Sequence, residues 1–407
     1  MRYFKLILAL ALLTIPAFAA SARPDSLNLA HSVRGTVLDA RSGSRLPSVN
    51  IRVSGKDYAT VSNSDGVFVI KSDEPIVELT FSSLGYKTLT MPVTGPDVVA
   101  RMAQERYLLD PSSIVTGEPI EIVRAADRMI IENYPDRSEL LKCFYRETLQ
   151  KRGRFISVAE AVTRVYKSSY YGLDYGDRVA LDKSRILVSP RSRDTLSVKV
   201  QGGPTLPISA DVVGNRELLL DDMLAGMYTL KMGAPAYIGD RLQFVIHFEP
   251  AEYTDYALFY GTLYIDREKL FFTRVEMSLD VSDPALATRQ ILQKKPLGLR
   301  FTPKEMSFVI SYRYDGTACR MEYYRTVCRF NCDWKKRMLA TNYAIVNETV
   351  VTDVIQPVVP IPRSEQFRST DSMSDKAAEF LDPEFWTGYN IIEPTESLEH
   401  AAKRLHK

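Results

Sequence analysis

The residues able to do chemistry are few and scattered. Four histidines occur, His31, His247, His400 and His406, and none begins the H-x-x-E pattern of a zinc peptidase. No G-x-S-x-G elbow, Walker loop or G-x-G-x-x-G fingerprint is present. "QGGPTLP" at 201–207 has two glycines but no following lysine, and reads as a loop. A glycosidase needs only two carboxylates. Pairs such as Asp221/Asp222 and Asp174/Asp177, however, arise by chance among 50 acidic residues. Cys328 and Cys332 form a C-x3-C pair, half of a zinc site with no second half. For Cys143, Cys319, Cys328 and Cys332, buried or loosely paired thiols come first. A 319–328 or 319–332 bridge across a hairpin comes second, and metal last. We therefore assign no catalytic, cofactor-binding or metal-binding residue and expect no cofactor.

Asp65 in "ATVSNSDGVFVI" (59–70) could be a ligand or an acid, but its neighbours point to a turn. Asn and Asp bond their own backbone and tolerate left-handed φ, and Gly66 adopts φ > 0 freely. His247 in "FVIHFEP" reads as a half-exposed strand residue rather than a ligand contact. The aromatic runs Tyr166, Tyr170, Tyr171, Tyr175 and Tyr253, Tyr256, Phe259, Tyr260, Tyr264 could stack on sugars or line a lipid groove. Core packing and cross-strand pairing are the commoner use of such residues.

The elements that hold these residues are mostly strands. Residues 1–22 have a basic start (Arg2, Lys5), an apolar run from Leu6 to Ile15 and small residues at Ala17, Ala19, Ala20 and Ala22. This is a secretory signal pattern, and the expected location is periplasmic or outer-membrane-associated. Of 52 basic residues, loss of Arg2 and Lys5 leaves 50 against 50 acidic. Neutral balance offers no electrostatic reason for a nucleic-acid partner. No later run is long enough for a transmembrane helix, and a transmembrane barrel is a minor alternative.

Residues 32–95 alternate like short strands between turns and predict a small antiparallel β-sandwich. A linker is expected at 96–118. A helix over 119–133 follows, with Ile122, Val123, Ala126, Met129 and Ile130 on one face. From Leu140 to Asp353 long alternating strands predict one large curved antiparallel sheet, so that 119–353 forms a second domain with a packing helix. Tight turns are expected at Lys151–Arg154, "YIDREKLF" and "RYDGTA". Residues 354–407 read as an extended tail ending in a helix capped by Thr395. The fold class is mainly β, with a few helices.

Gly35, Val37, Asp39, Gly43, Leu46, Pro47, Val49, Ile51, Val53, Asn63, Gly66 and Phe68 resemble the pattern of the carboxypeptidase D regulatory-like domain. "FSSLGY" fits that family's S-x-x-G-Y strand and turn, and Ser62 stands where Thr is usual. The resemblance implies a transthyretin-like, non-catalytic sandwich of the kind common in envelope proteins of Bacteroidota. "RLQFVIHFEP" and "GTLYIDREKLFFTRVEM" are similar in style to Lol-type half-barrels, which implies a curved sheet cupping a helix. Together these suggest a secreted, non-enzymatic cell-envelope protein with an accessory or binding role. Its expected partner is an apolar or carbohydrate ligand or an outer-membrane protein. The alternatives are a carbohydrate-active hydrolase using paired carboxylates and a pure docking subunit of an outer-membrane complex.

Overall fold

The structure is a computed structural model that describes residues 31–105, 117–172, 176–191, 194, 196, 198–200, 202–334, 340–379, 386 and 388–405. The expected signal segment 1–22 lies outside the described residues, as do 106–116, Asp174, Tyr175 and His406.

The N-terminal module contains β1 (His31–Asp39), β2 (Asn50–Val53), β3 (Ala59–Val61), β4 (Val67–Ser72), β5 (Glu78–Ser82), β6 (Leu89–Pro92) and β7 (Asp97–Met102). They form two sheets, β4-β1-β7 and β3-β2-β5-β6. Alternate residues Val37, Ile51, Phe68, Ile70, Leu79 and Phe81 meet between the sheets, as the period of two requires. One expectation changes here. Asp97–Met102, in the stretch read as linker, pairs parallel with β1 and contributes Met102 to the core. "DVVARM" alternates like a strand, but its adjacency to β1 is a long-range fact.

The motif residue Asp39 organises one end of this module. Its carboxylate accepts from the Ser42 and Arg41 N–H groups at 2.6 and 2.9 Å. It also accepts from Tyr86 Oη–H at 3.0 Å and Gln104 Nε2–H at 2.8 Å. The Ser42 N–H above all holds the carboxyl well below the usual carboxylate range. Two motif residues far apart in sequence, Asp39 and Tyr86, are thus one contact.

Asp65 and Gly66 form the expected turn. Asn63 Oδ1 accepts from the N–H groups of Asp65 and Val67, both at 2.9 Å, and Gly66 has φ +68°. A Cβ on Gly66 would also lie 2.9 Å from the Val37 carbonyl oxygen. Gly66→Val is expected to destabilise the module by more than about 1 kcal/mol, read as a shifted denaturation midpoint. Asp65→Ala is expected to cost about 1 kcal/mol or less, since its carboxylate accepts from the Glu396 N–H at 3.0 Å. Equal midpoints for Gly66→Val and wild type would remove the turn argument.

The second part begins with α1 (Pro119–Arg128) and α2 (Ile130–Asn133), which together take the place of the single expected helix. Then come β8 (Glu139–Lys151), β9 (Arg154–Lys167), β10 (Arg178–Val188) and β11 (Lys199–Val200). The middle of the chain supplies α3 (Leu206–Ser209), α4 (Leu220–Leu224), β12 (Tyr228–Met232), β13 (Ala236–Ile238), β14 (Arg241–Pro250), β15 (Phe259–Asp266) and β16 (Phe272–Leu279). After α5 (Pro284–Ile291) and β17 (Leu292–Lys294) come β18 (Leu299–Tyr314), β19 (Cys319–Trp334) and β20 (Thr341–Ile355). The last elements are β21 (Gln366–Phe367), α6 (Met373–Lys376), β22 (Ala378–Glu379) and α7 (Glu396–Leu405).

Among the described residues one curved sheet of 13 strands runs β12-β14-β15-β16-β18-β19-β20-β8-β9-β10-β21, with β13 on β14 and β22 on β10. The path has two ends, so the sheet is not a closed barrel. Nearly all pairings are antiparallel; β22 joins β10 in parallel. The turn at 151–154 has both Arg152 and Gly153 at positive φ, the geometry that matches strand twist. Among the described residues no helix is long and apolar enough to cross a membrane.

The two faces of the sheet have different fates. On one, Leu263, Ile265, Val275, Ile310 and Phe330 share a core with Val123 and Ile130 of the first helices, Leu220 and Met223 of α4 and Ile291 of α5. Met129, expected on the buried helix face, is only partly buried. On the other face, Phe144, Val162, Tyr323 and Val350 pack against Val61 of the module and Trp386, Tyr389, Ile391 and Ile392 of the tail.

The tail is therefore more than an extended appendage. Asn390 exchanges two hydrogen bonds with the Lys71 backbone at 2.7 and 2.9 Å. Asn63 Nδ2 donates to the carbonyls of Glu393 and Pro394, both at 3.1 Å. On the sheet side, Arg146 Nη2 donates to the Ile392 carbonyl at 2.6 Å, and Trp386 Nε1 donates to Glu160 at 3.0 Å. Thr395 Oγ1 accepts from the Leu398 N–H at 3.1 Å, the expected cap of α7. Trp386 and residues 388–395 thus lie between module and sheet and bond to both.

Candidate ligand-binding cleft

A cleft of about 740 Å3 opens where the module's second sheet faces β16, β18 and β19. Alternation along β2 and β5 sends Ile51, Val53, Leu79 and Phe81 into the sandwich core. The same alternation leaves Asn50, Arg52, Thr80 and Ser82 on the opposite side, facing the cleft. Arg274 of β16, Ser311 and Arg313 of β18 and Glu322 of β19 form the facing wall. At one end the Gly85 N–H donates to the Tyr237 carbonyl at 2.9 Å, beside a bridge between Leu84 and Ile238. Elsewhere the two walls are tied by Arg52, whose Nε–H donates to Glu322 at 2.9 Å. The cleft is therefore held at fixed width by contacts from both parts.

Most of its cations are committed internally. Arg241 makes a bidentate pair with Asp266 at 2.6 and 2.7 Å, which raises its already high pKa. Arg274 donates to Glu276 at 2.6 Å. Arg313 differs. Its nearest carboxylate oxygen, Glu322 Oε1, is 3.7 Å from Nε, and Nε has no hydrogen-bond acceptor. Burial, and next the neighbouring Arg52 charge, lower its pKa. Asn50 Oδ1 is likewise buried without a partner.

The residues singled out from sequence do not converge on this cleft. His247 is exposed on β14, its Nδ1 3.0 Å from Thr262 Oγ1. All four cysteines are free and buried. Burial pushes the Cys143 and Cys328 thiols up to about 12 and Cys332 to about 11, far from a reactive thiolate. Asp222 accepts from Tyr256 Oη–H at 2.9 Å, and Asp221 from Arg216 at 3.3 Å. Asp177 lies 2.7 Å from Lys167 Nζ, with Asp211 3.0 Å away on the same ammonium. Burial works against the Lys167 charge, but Asp211 and Asp177 outweigh it and hold the pKa above the ordinary lysine value. That cluster is a compensated ion triad, not an acid–base pair. Of the tyrosines, Tyr171, Tyr253, Tyr256 and Tyr260 are exposed, whereas Phe259 is buried and Tyr170 donates to Asp211 at 3.0 Å. Among the described residues no three His, Cys, Asp or Glu side chains are placed to hold a metal ion.

Sequence reading passed over Asn50, Arg52 and Arg313. The only signal they leave is polar alternation in "NIRVS" and "SYRYD", which marks an outward face without saying what it meets.

Residues 33–110 match the model of the CarboxypepD_reg-like domain. The match covers the module as built, β7 included, and agrees with the motif residues noted above. No curated protein matches the chain. A DUF1329 family protein from Desulfovibrio piger superposes on 60% of this chain and 96% of its own, with 8% identity and a TM-score of 0.29. A putative outer membrane lipoprotein-sorting protein domain from Vibrio parahaemolyticus superposes on 60% and 94%, with 10% identity and a TM-score of 0.25. Likenesses at that level carry nothing about what this chain does.

Proposed function

We propose that the protein is a secreted, non-enzymatic binding protein of the cell envelope, and that it takes a polar ligand in the cleft between module and sheet. One observation carries this. The apolar face of the sheet is filled by the chain's own side chains, while the cleft is open, carries many polar side chains and is built jointly by both parts. Its volume lies within the ~300–1,000 Å3 usual for ligand sites. The ion pairs Arg52–Glu322, Arg241–Asp266 and Arg274–Glu276 along its walls favour rigid recognition over proton transfer, because these carboxylates are already engaged by a guanidinium.

Hydrogen exchange on the full chain tests the reading. A native envelope is separated into a chloroform-soluble lipid extract and a water-soluble extract, and each is added in turn. Slower exchange at residues 48–57 and 311–317 is expected with the water-soluble extract only. Protection by the lipid extract alone, or by neither, would overturn the assignment of the cleft.

A further inference from the structure

The chemistry of the cleft walls narrows the ligand class, given the reading of the cleft as a binding site. Three of the wall cations offer no free charge to an ionic ligand, because Arg52, Arg241 and Arg274 are each tied to a carboxylate of this chain at 2.6–2.9 Å. Two buried polar atoms of the described wall residues have no hydrogen-bond partner, one acceptor and one donor, Asn50 Oδ1 and Arg313 Nε. Buried polar atoms without partners are rare and costly, so these two invite a partner. Both atoms are shielded from bulk water. Pairing them requires the side chains to turn toward the cleft, to which both retain exposure.

A purely accepting ligand, such as a phosphate or carboxylate, would pair Arg313 and leave Asn50 unpaired. An ammonium would do the reverse. A hydroxyl both donates and accepts, so a polyhydroxylated ligand serves both. The wall hydroxyls of Ser54, Thr80, Ser82 and Ser311 have the same dual character. A peptide also carries donors and acceptors, but it binds sheets best by adding to a free strand edge. Here the walls are sheet faces: β2, β5, β16, β18 and β19 are each flanked by strands on both sides.

We infer that the cleft binds a neutral glycan, held between Asn50 on the module and Arg313 on the large sheet. The experiment uses the protection at 48–57 and 311–317 given by the water-soluble envelope extract. The extract is tested untreated, after mild periodate, which cleaves vicinal diols, after proteinase K, and after passage over an anion exchanger. Protection is expected to vanish after periodate and to survive the other two treatments. Protection lost to the protease identifies a peptide, and protection lost on the exchanger identifies an anion. Either result, or survival of protection after periodate, overturns the glycan assignment while leaving the cleft assignment standing. No protection by the untreated extract overturns both. Arg313→Lys keeps the charge but removes the Nε donor, and Asn50→Leu removes the acceptor. Each is expected to raise the half-protecting extract concentration about ten-fold or more. Both should keep the wild-type melting temperature. Unchanged affinity in both variants would place the glycan elsewhere.

Discussion

Glu160→Ala is expected to cost about 3–5 kcal/mol of stability, the range for breaking a buried ion pair by removing one partner. Glu160 is 4% exposed and sits on the module-facing side of β9, opposite Arg146 of β8 and Arg185 of β10. Arg146, 3% exposed, donates Nε–H to it at 2.7 Å, and Arg185 donates at 2.8 Å. Trp386 Nε1 adds a third donor and so ties the tail to the sheet. Burial alone would raise the pKa of Glu160, but Arg146 and then Arg185 outweigh it and keep it below the ordinary 4.5. A depressed carboxyl stabilises the fold fully above its unfolded value and loses that contribution as the pH falls through the folded one. Wild-type stability should therefore decline below about pH 4.5 in part through Glu160, and this part should be missing from the variant. Urea denaturation at pH 7 and at pH 4 measures both. Replacing Glu160, Arg146 and Arg185 together by apolar residues of similar size should cost much less than Glu160→Ala alone, because no buried charge is left uncompensated. A Glu160→Ala midpoint equal to wild type would show that the cluster is not desolvated.

Ile265→Asp is expected to unfold the large sheet, at a cost above about 4 kcal/mol. Ile265 is fully buried on the helix-covered face of β15, in one core with Leu263, Val123 and Ile130. The substitution forfeits roughly 1.5–3 kcal/mol of apolar burial and places a carboxylate among buried apolar side chains. Thr262→Asp, on the opposite face and partly exposed, is expected to cost about 1 kcal/mol or less. Part of that cost is the like charge of Glu276 directly across from it. Circular dichroism melts of the two variants side by side decide the matter. Loss of the cooperative transition in Ile265→Asp but not in Thr262→Asp supports the packing, and equal melts would refute it.

Much of the fold was legible because it is written in local chemistry. Asn63–Gly66, Arg152–Gly153 and Asp315–Gly316 are turns for reasons contained within a few residues, namely tolerance of positive φ and side chains that bond the adjacent backbone. Alternation along β4 and β15 assigned each side chain to one face of its strand. The motif residues around Asp39 marked the module that the family match covers. Thr395 marked the start of α7.

The candidate site was not legible, and neither was what lies against each face. The amino-acid sequence by itself determined which residues turn, which alternate and where the regulatory-like module begins, because those depend on backbone preferences over a few bonds. Only the tertiary structure decided that β7 joins β1 and that Trp386 and residues 388–395 lie between module and sheet. It also decided that Asn50 and Arg313, distant in the chain, share one cleft. The physical reason is that a strand's period of two says which side chains point the same way and nothing about what that side will meet. The partner is selected by burying apolar faces and satisfying buried donors and acceptors across hundreds of residues, as when Asn63 bonds the carbonyls of Glu393 and Pro394.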